Sequence, residues 1–281
     1  MMKISIFYCH ITEIAEKEGI SVSEALCDMK ALGIDAVDFD AGDLRAHPEW
    51  ADEVFAADMR IASIHEFFDI PNHPEQDPRC TVDLALKYGV KNVMIIPGFL
   101  TEEEMPVYEN DEQVRAEMAR SPKIGYIVEA FRRGVEYAKD KGVNITMEPY
   151  GDPLHAPFGR VAHFLYYTDM VEGLKMTLDT GNFIYADEDS LDAEARLGHL
   201  VTHVHLKDYA VDPDFAPRRF LRGKVPATIG GGYIPVWHIL DRLEARGYDG
   251  YLTIEEFLLP DQRRAAEESV AFIKSFLNRN A

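Results

Sequence analysis

The stretch THVHLKDY places two histidines and a lysine at alternate positions of an apolar run. Because side chains of an extended chain alternate between two faces, His203, His205 and Lys207 are expected on one face. Imidazole nitrogens bind metal ions, whereas an ammonium group donates hydrogen bonds but has no lone pair for a cation. A single strand histidine usually packs or forms a hydrogen bond, and we expect this role for His203. His205 lies nearer the end of the run and is the better candidate for a metal ligand.

Carboxylates end other short apolar runs in the same way. Glu148 lies in ITMEP, Asp179 in LDTGN, and Glu255 and Glu256 end LTIEE. Adjacent strand residues point to opposite faces, so only one of the last two can face an interior. Singly, Glu148 reads as a solvated loop acid and Asp179 as a turn former or helix cap. Together with a histidine, three buried carboxylates favour one divalent cation, because a buried charge is costly unless it is paired or bound to metal.

The elements that must position these side chains alternate along the chain. Eight segments have the β-branched and aromatic residues of strands: 3–8, 35–40, 61–65, 91–97, 143–149, 174–180, 201–208 and 251–256. Helical patterns separate or follow them: 21–33, 48–59, 79–89, 111–141 with an interruption at Pro122, 159–170, 191–198, 235–247 and 260–278. Ser21 and Glu24 form a capping-box pattern at the first of these helices. Gly33, Gly89 and Gly142 suit the left-handed conformation of a helix C-terminus.

This alternation predicts an α/β fold, namely a (β/α)8 TIM barrel in which residues 1–281 form a single domain. The competing doubly wound sheet usually has fewer strands and often a glycine-rich first turn. Here the first strand continues into YCHITE, without a GxGxxG motif. In a TIM barrel the active site lies at the carboxyl ends of the strands. We therefore expect His65, which ends the third strand, to join the candidates at the ends of strands five to eight.

Composition restricts the class of protein. No apolar run approaches the ~20 residues that cross a bilayer, and the N-terminus lacks the pattern of a signal peptide. Three cysteines without CxxC spacing predict a reducing, cytoplasmic location. A net charge of −20 disfavours binding to a phosphate backbone. We expect a small-molecule substrate and neither a nucleic-acid nor a membrane partner, while a homo-oligomer stays open.

Four motifs carry a family resemblance: MEPYGD, LDTGN, HVHLKD and IGGGYIPVWHILDRLEARGYDGYLTIEEF. They resemble the sugar isomerase/epimerase family with the xylose isomerase-like TIM barrel, which includes ketose 3-epimerases, hydroxypyruvate isomerase and inosose dehydratase. The resemblance covers essentially the whole chain and is firmest from Glu148 to Phe257. It implies one divalent metal ion, Mn²⁺ in the first place and Mg²⁺, Co²⁺ or Zn²⁺ as alternatives. The implied ligands are Glu148, Asp179, His205 and Glu255.

The resemblance also implies an activity, that of a sugar or sugar phosphate isomerase or epimerase. Glu148 and Glu255 would be the catalytic pair that moves a proton through an enediolate. We expect His65, Asn182 and Lys207 to bind the substrate. Ketose 3-epimerases have a histidine three positions after the strand-six aspartate, where this chain has Asn182, which cannot carry a proton as imidazole does.

Two other reactions stay open on the same barrel. Loss of a β-hydroxyl from the enediolate would make the protein a dehydratase, a lyase of a keto-inositol or related keto-sugar. A metal-dependent endonuclease shares the barrel, but it needs a basic face and more histidines at the strand ends. The acidic charge and the single HxH motif disfavour it.

One segment is locally basic, with Arg218, Arg219, Arg222 and Lys224 close together in an acidic protein. TIM barrels often bind phosphate near the loops after strands seven and eight. The backbone N–H groups of Gly230–Gly232 are further candidates for an anion. A solvated loop or a subunit contact is the alternative interpretation.

Overall fold

The computed structural model describes residues 2–215 and 223–279. Within these ranges the strands are β1 (Lys3–Phe7), β2 (Ala36–Asp40), β3 (Arg60–Phe67), β4 (Asn92–Ile96), β5 (Asn144–Met147), β6 (Lys175–Asp179), β7 (Val201–Leu206), β8 (Asp208–Val211), β9 (Lys224–Ala227) and β10 (Tyr251–Ile254). Eight of them close into a barrel in the order β1-β10-β7-β6-β5-β4-β3-β2. The predicted TIM-barrel fold class is therefore confirmed.

The helices of the described residues follow or precede the barrel strands. They are α1 (Tyr8–Glu18), α2 (Val22–Ala31), α3 (Ala41–Ala46), α4 (Glu49–Ala56), α5 (Arg79–Tyr88), α6 (Asp111–Arg120), α7 (Pro122–Ala138), α8 (Val161–Met170), α9 (Ser190–Leu197), α10 (Val236–Ala245) and α11 (Gln262–Leu277). The capping box at α2 is present, because the Ser21 hydroxyl accepts the Glu24 N–H and the Glu24 carboxylate accepts the Ser21 N–H. No helix of the described residues is long and apolar enough to cross a membrane.

The sequence analysis did not predict two helices and two strands, namely α1, α3, β8 and β9. Helix α1 follows β1 without a loop, and its N-cap residue Phe7 has no side-chain hydrogen bond, so the usual start signal is missing. Strands β8 and β9 pair as an antiparallel hairpin outside the barrel, with Asp208 opposite Ala227. Strand β7 ends at Leu206, so Lys207 follows the strand rather than belonging to it.

The predicted left-handed glycines are confirmed at Gly33, Gly89 and Gly142, with φ of 92°, 69° and 69°.

The chain forms two compact units. The first comprises Met1–Ile64, Asp179–Gly181 and His203–Ala281. In this unit β1 pairs in parallel with both β2 and β10, and β10 pairs with β7. The β10–β7 register sets Thr253 beside His205. This pairing brings the carboxyl ends of β7 and β10 to the same level.

The second unit comprises His65–Leu178 and Asn182–Thr202. Strand β5 pairs in parallel with β4 and β6, and Thr146 on β5 bonds Thr177 on β6 through their hydroxyls at 2.7 Å. Fully buried aromatic rings of α7 and α8, including Phe131, Phe164 and Tyr167, build its core. The aromatic run HFLYY is therefore largely core.

Candidate active site

Three charged side chains of the first unit meet beyond the carboxyl ends of β6, β7 and β10. The ammonium nitrogen of Lys207 lies 2.7 Å from Oδ2 of Asp179 and 2.8 Å from Oε1 of Glu255. Asp179 is fully buried, and its Oδ1 accepts the N–H of Gly181 at 2.7 Å. One cationic group thus bridges two carboxylates that belong to different strand ends.

His205 joins this cluster through Glu255. Its Nδ1 lies 3.0 Å from the other oxygen of Glu255, Oε2. Its Nε2 faces the opposite way and lies 3.3 Å from Oδ2 of Asp38. The ring packs against Phe7, with the ring centroids 4.9 Å apart, and only 1% of the residue is exposed. Packing and two carboxylates therefore fix the orientation of the imidazole.

Asp38 is a site residue that the sequence analysis missed. It lies in the middle of β2, is 1% exposed, and contacts both histidines of the HVH motif. His203 bonds its Oδ2 through Nε2 at 2.6 Å, which is the hydrogen-bonding role expected for this histidine. The one signal in the sequence was an acidic residue inside the apolar strand DAVDFD. That signal could not identify the two histidines, which are far away along the chain, as its partners.

Burial and the neighbouring charges set the protonation of these carboxyls. Burial raises the pKa of Asp179, and the charge of Glu255 adds to this effect against the opposing ammonium of Lys207. For Glu255, burial again raises the pKa, but Lys207 and His205 together outweigh it and bring the pKa to about 2. Burial also raises the pKa of Asp38, yet the two histidines hold it well below its usual range. Glu255 is therefore ionised at neutral pH, and Asp179 takes up a proton first.

Glu255 and Glu256 have separate roles, as their alternation predicts. One carboxylate oxygen of Glu256 accepts the hydroxyl of Ser269 on α11 and, at 2.9 Å, the N–H of Ile229. Burial raises the pKa of Glu256 to about 7. The Glu256 carboxyl group therefore connects the loop that precedes α10 with helix α11 by hydrogen bonds, whereas Glu255 faces His205.

The glycine run has an internal partner. Asp208 accepts the N–H groups of Gly230 and Gly232, each at 3.0 Å, and that of Ile234 at 3.0 Å. A Cβ atom on Gly232 would collide with the Asp208 carboxylate. Two of the three N–H groups that were candidates for a phosphate thus bind the chain's own carboxylate, and the third, of Gly231, donates to the carbonyl of Thr228 at 2.8 Å. In the basic segment, Arg218, Arg219 and Arg222 lie outside the described residues, and Lys224 begins β9.

The second unit carries the remaining predicted site residues. Glu148 directly follows β5 and is 5% exposed, and the Asn182 amide donates to the carbonyl of Pro149 at 2.8 Å. His65 lies on β3, and its ring is edge-on to Phe67, which in turn is edge-on to Tyr150. An aromatic contact thus connects the end of β3 with the segment that follows Glu148.

The comparison with known proteins identifies the family. The sequence profile of one family, described as xylose isomerase-like TIM barrel, matches residues 26–276. The chain belongs to this family. Similar proteins with a stated activity include an inosose dehydratase and an L-ribulose 3-epimerase.

Three similar proteins illustrate the range of the family. An inosose dehydratase of Geobacillus thermodenitrificans is 23% identical over 136 residues, which are 46% of this chain and 45% of that protein. The chain therefore matches about half the length of this curated relative. A xylose isomerase-like TIM barrel protein from Mycobacterium smegmatis, solved in complex with magnesium, has a TM-score of 0.67 and 19% identity over 92% of this chain and 88% of that one. The structure of an L-ribulose 3-epimerase has a TM-score of 0.68 and 17% identity over 99% and 95% of the two chains.

The residues of this xylose isomerase-like protein fit a divalent cation. Asp179, Glu255 and His205 offer carboxylate oxygens and one imidazole nitrogen, a donor set that suits Mg²⁺, Mn²⁺ or Zn²⁺. The two carboxylates already share one positively charged group, the ammonium of Lys207. Asp38, His203 and His205 form a second group whose ligand atoms lie within 4.8 Å of one another, as a metal site requires.

Proposed function

We propose that this protein is a divalent-metal-dependent sugar or sugar phosphate isomerase/epimerase that moves a proton through an enediolate. The observation that carries the proposal is the buried cluster in which Lys207 bridges Asp179 and Glu255 while His205 contacts Glu255. Buried ionisable groups that perturb one another are typical of binding and catalytic sites. Membership of the xylose isomerase-like TIM barrel family and the similarity to an L-ribulose 3-epimerase support the same proposal.

The proposed ligands are Glu148, Asp179, His205 and Glu255. The last three are members of the cluster, and Glu148 is included because of the family resemblance and its buried position at the end of β5. Mn²⁺ is the first candidate, and Mg²⁺, Co²⁺ and Zn²⁺ are the alternatives. When bound, the ion polarises a substrate carbonyl and so acidifies the neighbouring C–H group.

The chain's own side chains perform the proton transfer in this proposal. Glu255 and Glu148 form the acid–base pair, and as a carboxylate Glu255 can accept a proton from a carbon that the bound ion would acidify. Glu148 acts as its partner and returns the proton. Lys207, Asn182 and His65 bind substrate oxygens, because their N–H groups are hydrogen-bond donors. The substrate is then a small sugar in the cytoplasm.

A dehydratase of a keto-inositol is the second candidate. The observation that favours it is the match to an inosose dehydratase, which is 23% identical over 136 residues. Both reactions begin with the same proton abstraction next to a carbonyl. They differ in the next step, because a dehydratase expels a β-hydroxyl group as water.

The experiment is a substrate screen in D2O read by ¹H NMR. The purified protein, supplied with Mn²⁺ and afterwards depleted of free ion, is incubated with ketoses, inososes and their phosphates. An epimerase or isomerase is expected to place deuterium at the reacting carbon or to give a new sugar, and a dehydratase gives an unsaturated product. Protein treated with a chelator and the Glu148→Gln variant are the controls. Full activity in chelator, or activity only with an added nicotinamide, would contradict the proposal.

A further inference from the structure

A chain of buried polar side chains runs beneath His205 and takes no part in the proposed reaction. It joins Ser5 on β1, Asp38 on β2, His203 on β7 and Thr253 on β10, and each of them is at most 1% exposed. Polar groups this deep in a barrel require hydrogen-bond partners. Burial excludes water from these side chains, so their hydrogen bonds are made mainly with one another.

The directions of these hydrogen bonds follow from Asp38. Three side chains that can donate surround its carboxyl group, His203, His205 and Thr253, and a carboxylate only accepts. The Thr253 hydroxyl donates to Oδ1 at 3.1 Å, which leaves the Thr253 oxygen to accept the Ser5 hydroxyl at 2.6 Å. His203 and His205 both approach Oδ2 with Nε2, at 2.6 and 3.3 Å. Each of these two nitrogens must therefore carry the proton.

This assignment has a consequence for the other side of His205. A neutral imidazole with its proton on Nε2 has a free lone pair on Nδ1. That lone pair faces Oε2 of Glu255 at 3.0 Å. Two acceptors at this distance repel each other unless a positive charge lies with them. A proton on Nδ1 relieves this repulsion in the metal-free protein, and a metal ion bound to Nδ1 would relieve it in the same way.

We propose that Asp38 is the positioning residue of the metal centre: it holds His205 in the Nε2–H tautomer so that Nδ1 is the ligand atom. The proposal rests on the proposed function, because it presupposes that a divalent ion binds at His205. Histidine ligands commonly donate their second ring N–H to a carboxylate, which fixes the ring and makes it a stronger ligand. His203 and Thr253 also donate hydrogen bonds to Asp38 and hold it under the ring.

Asp38, His203 and His205 also form a candidate metal site of their own. The distances between their ligand atoms decide whether they bind an ion or only orient His205. Zinc binds imidazole nitrogen and carboxylate oxygen at about 2.0–2.2 Å, so two ligands of one ion normally stand about 3 Å or more apart. Nε2 of His203 and Oδ2 of Asp38 are 2.6 Å apart, which is the length of a charge-assisted hydrogen bond. The network therefore supports the ion and does not bind a second one.

The test compares two substitutions of the same kind. Asp38→Asn removes the charge beneath His205, and if the amide turns its NH2 group to the ring it reverses the tautomer as well. Asp208→Asn makes the same change at a carboxylate that is equally buried, 1% exposed, but binds backbone N–H groups instead of His205. Titration of Mn²⁺ into chelator-treated protein by calorimetry gives Kd and stoichiometry, and circular dichroism checks the fold.

We expect one ion per wild-type chain, a Kd roughly 10–100-fold weaker for Asp38→Asn, and an unchanged Kd for Asp208→Asn. An unchanged Kd for Asp38→Asn in folded protein would overturn the positioning role while leaving the proposed function intact. A wild-type chain that binds no ion would overturn both, and two ions per chain, the second lost in His203→Gln, would overturn the supporting role of the network.

A measurement on the wild type makes the outcome independent of how the variants fold. Long-range ¹H–¹⁵N NMR of histidine-labelled protein loaded with Zn²⁺ reports which ring nitrogen carries the proton. The expected result is Nε2–H for His205 with the metal on Nδ1. A proton on Nδ1 of His205, with the metal on Nε2, would refute the role of Asp38.

Discussion

Lys207 offers the most informative perturbation, because its ammonium neutralises two buried carboxylates at once. Lys207→Met keeps the length and apolar character of the side chain but removes the charge. The ammonium lies 2.7 Å from Asp179 and 2.8 Å from Glu255, and the lysine side chain is 13% exposed. The variant therefore leaves two acidic groups without their common partner.

The magnitude follows from the cost of breaking a buried ion pair, which is about 3–5 kcal/mol when one partner is removed. The lower end applies here. Burial already raises the pKa of Asp179, so this group can take up a proton and escape part of the repulsion from Glu255. We expect the metal-free variant to lose about 3 kcal/mol of unfolding free energy at pH 7.

The free energy of unfolding in urea is measured for chelator-treated wild type and Lys207→Met, first without and then with Mn²⁺. A divalent ion that binds only the folded state stabilises it by about 2.7 kcal/mol at one hundred times its Kd. The ion should stabilise the variant more than the wild type, because the competing ammonium is gone, while turnover stays low for lack of the substrate contact.

Lys17→Met is the matched control. Lys17 pairs with Asp261 at 3.3 Å, but both side chains are about half exposed, at 52% and 51%. Such a surface pair contributes about 0–1 kcal/mol. Equal losses in Lys207→Met and Lys17→Met, or an identical response of wild type and Lys207→Met to Mn²⁺, would refute the reasoning.

Three further outcomes are expected. Glu148→Gln should lower turnover by roughly 10²–10⁴-fold with substrate binding largely kept, and unchanged steady-state turnover would exclude Glu148 from the acid–base pair. Burial lowers the pKa of His163 from 6.5 to about 3, so its stability contribution is complete above pH 6.5 and falls as the pH drops towards 3. Between pH 7 and 4.5 this should cost about 3 kcal/mol in urea unfolding, and the loss should be smaller in His163→Gln. In alkylation read by mass spectrometry, exposed Cys27 and Cys80 should react first, because burial raises the pKa of the Cys9 thiol to about 12; fast labelling of Cys9 in folded protein would contradict this.

The barrel could be read from the sequence because its signals are local. Alternating side chains mark a strand, a serine and a glutamate three residues apart mark a helix start, and a glycine with positive φ marks a helix end. These features depend on a few neighbouring residues, and they predicted all eight barrel strands to within a few residues. Helix α1 was missed because it begins without a cap. The hairpin β8–β9 was missed because its pairing joins segments separated by a long connection.

Only part of the candidate site could be predicted from such local signals. The sequence by itself determined which residue types stand at the strand ends, including Asp179, His205 and Glu255. Only the tertiary structure decided that Lys207 bridges two of these carboxylates, and that Asp38, 167 positions before His205, lies beneath its ring. The physical reason is that a buried polar group is satisfied by whatever the strand register places within about 3 Å of it. That register depends on the packing of the whole barrel, so no short stretch of sequence contains it.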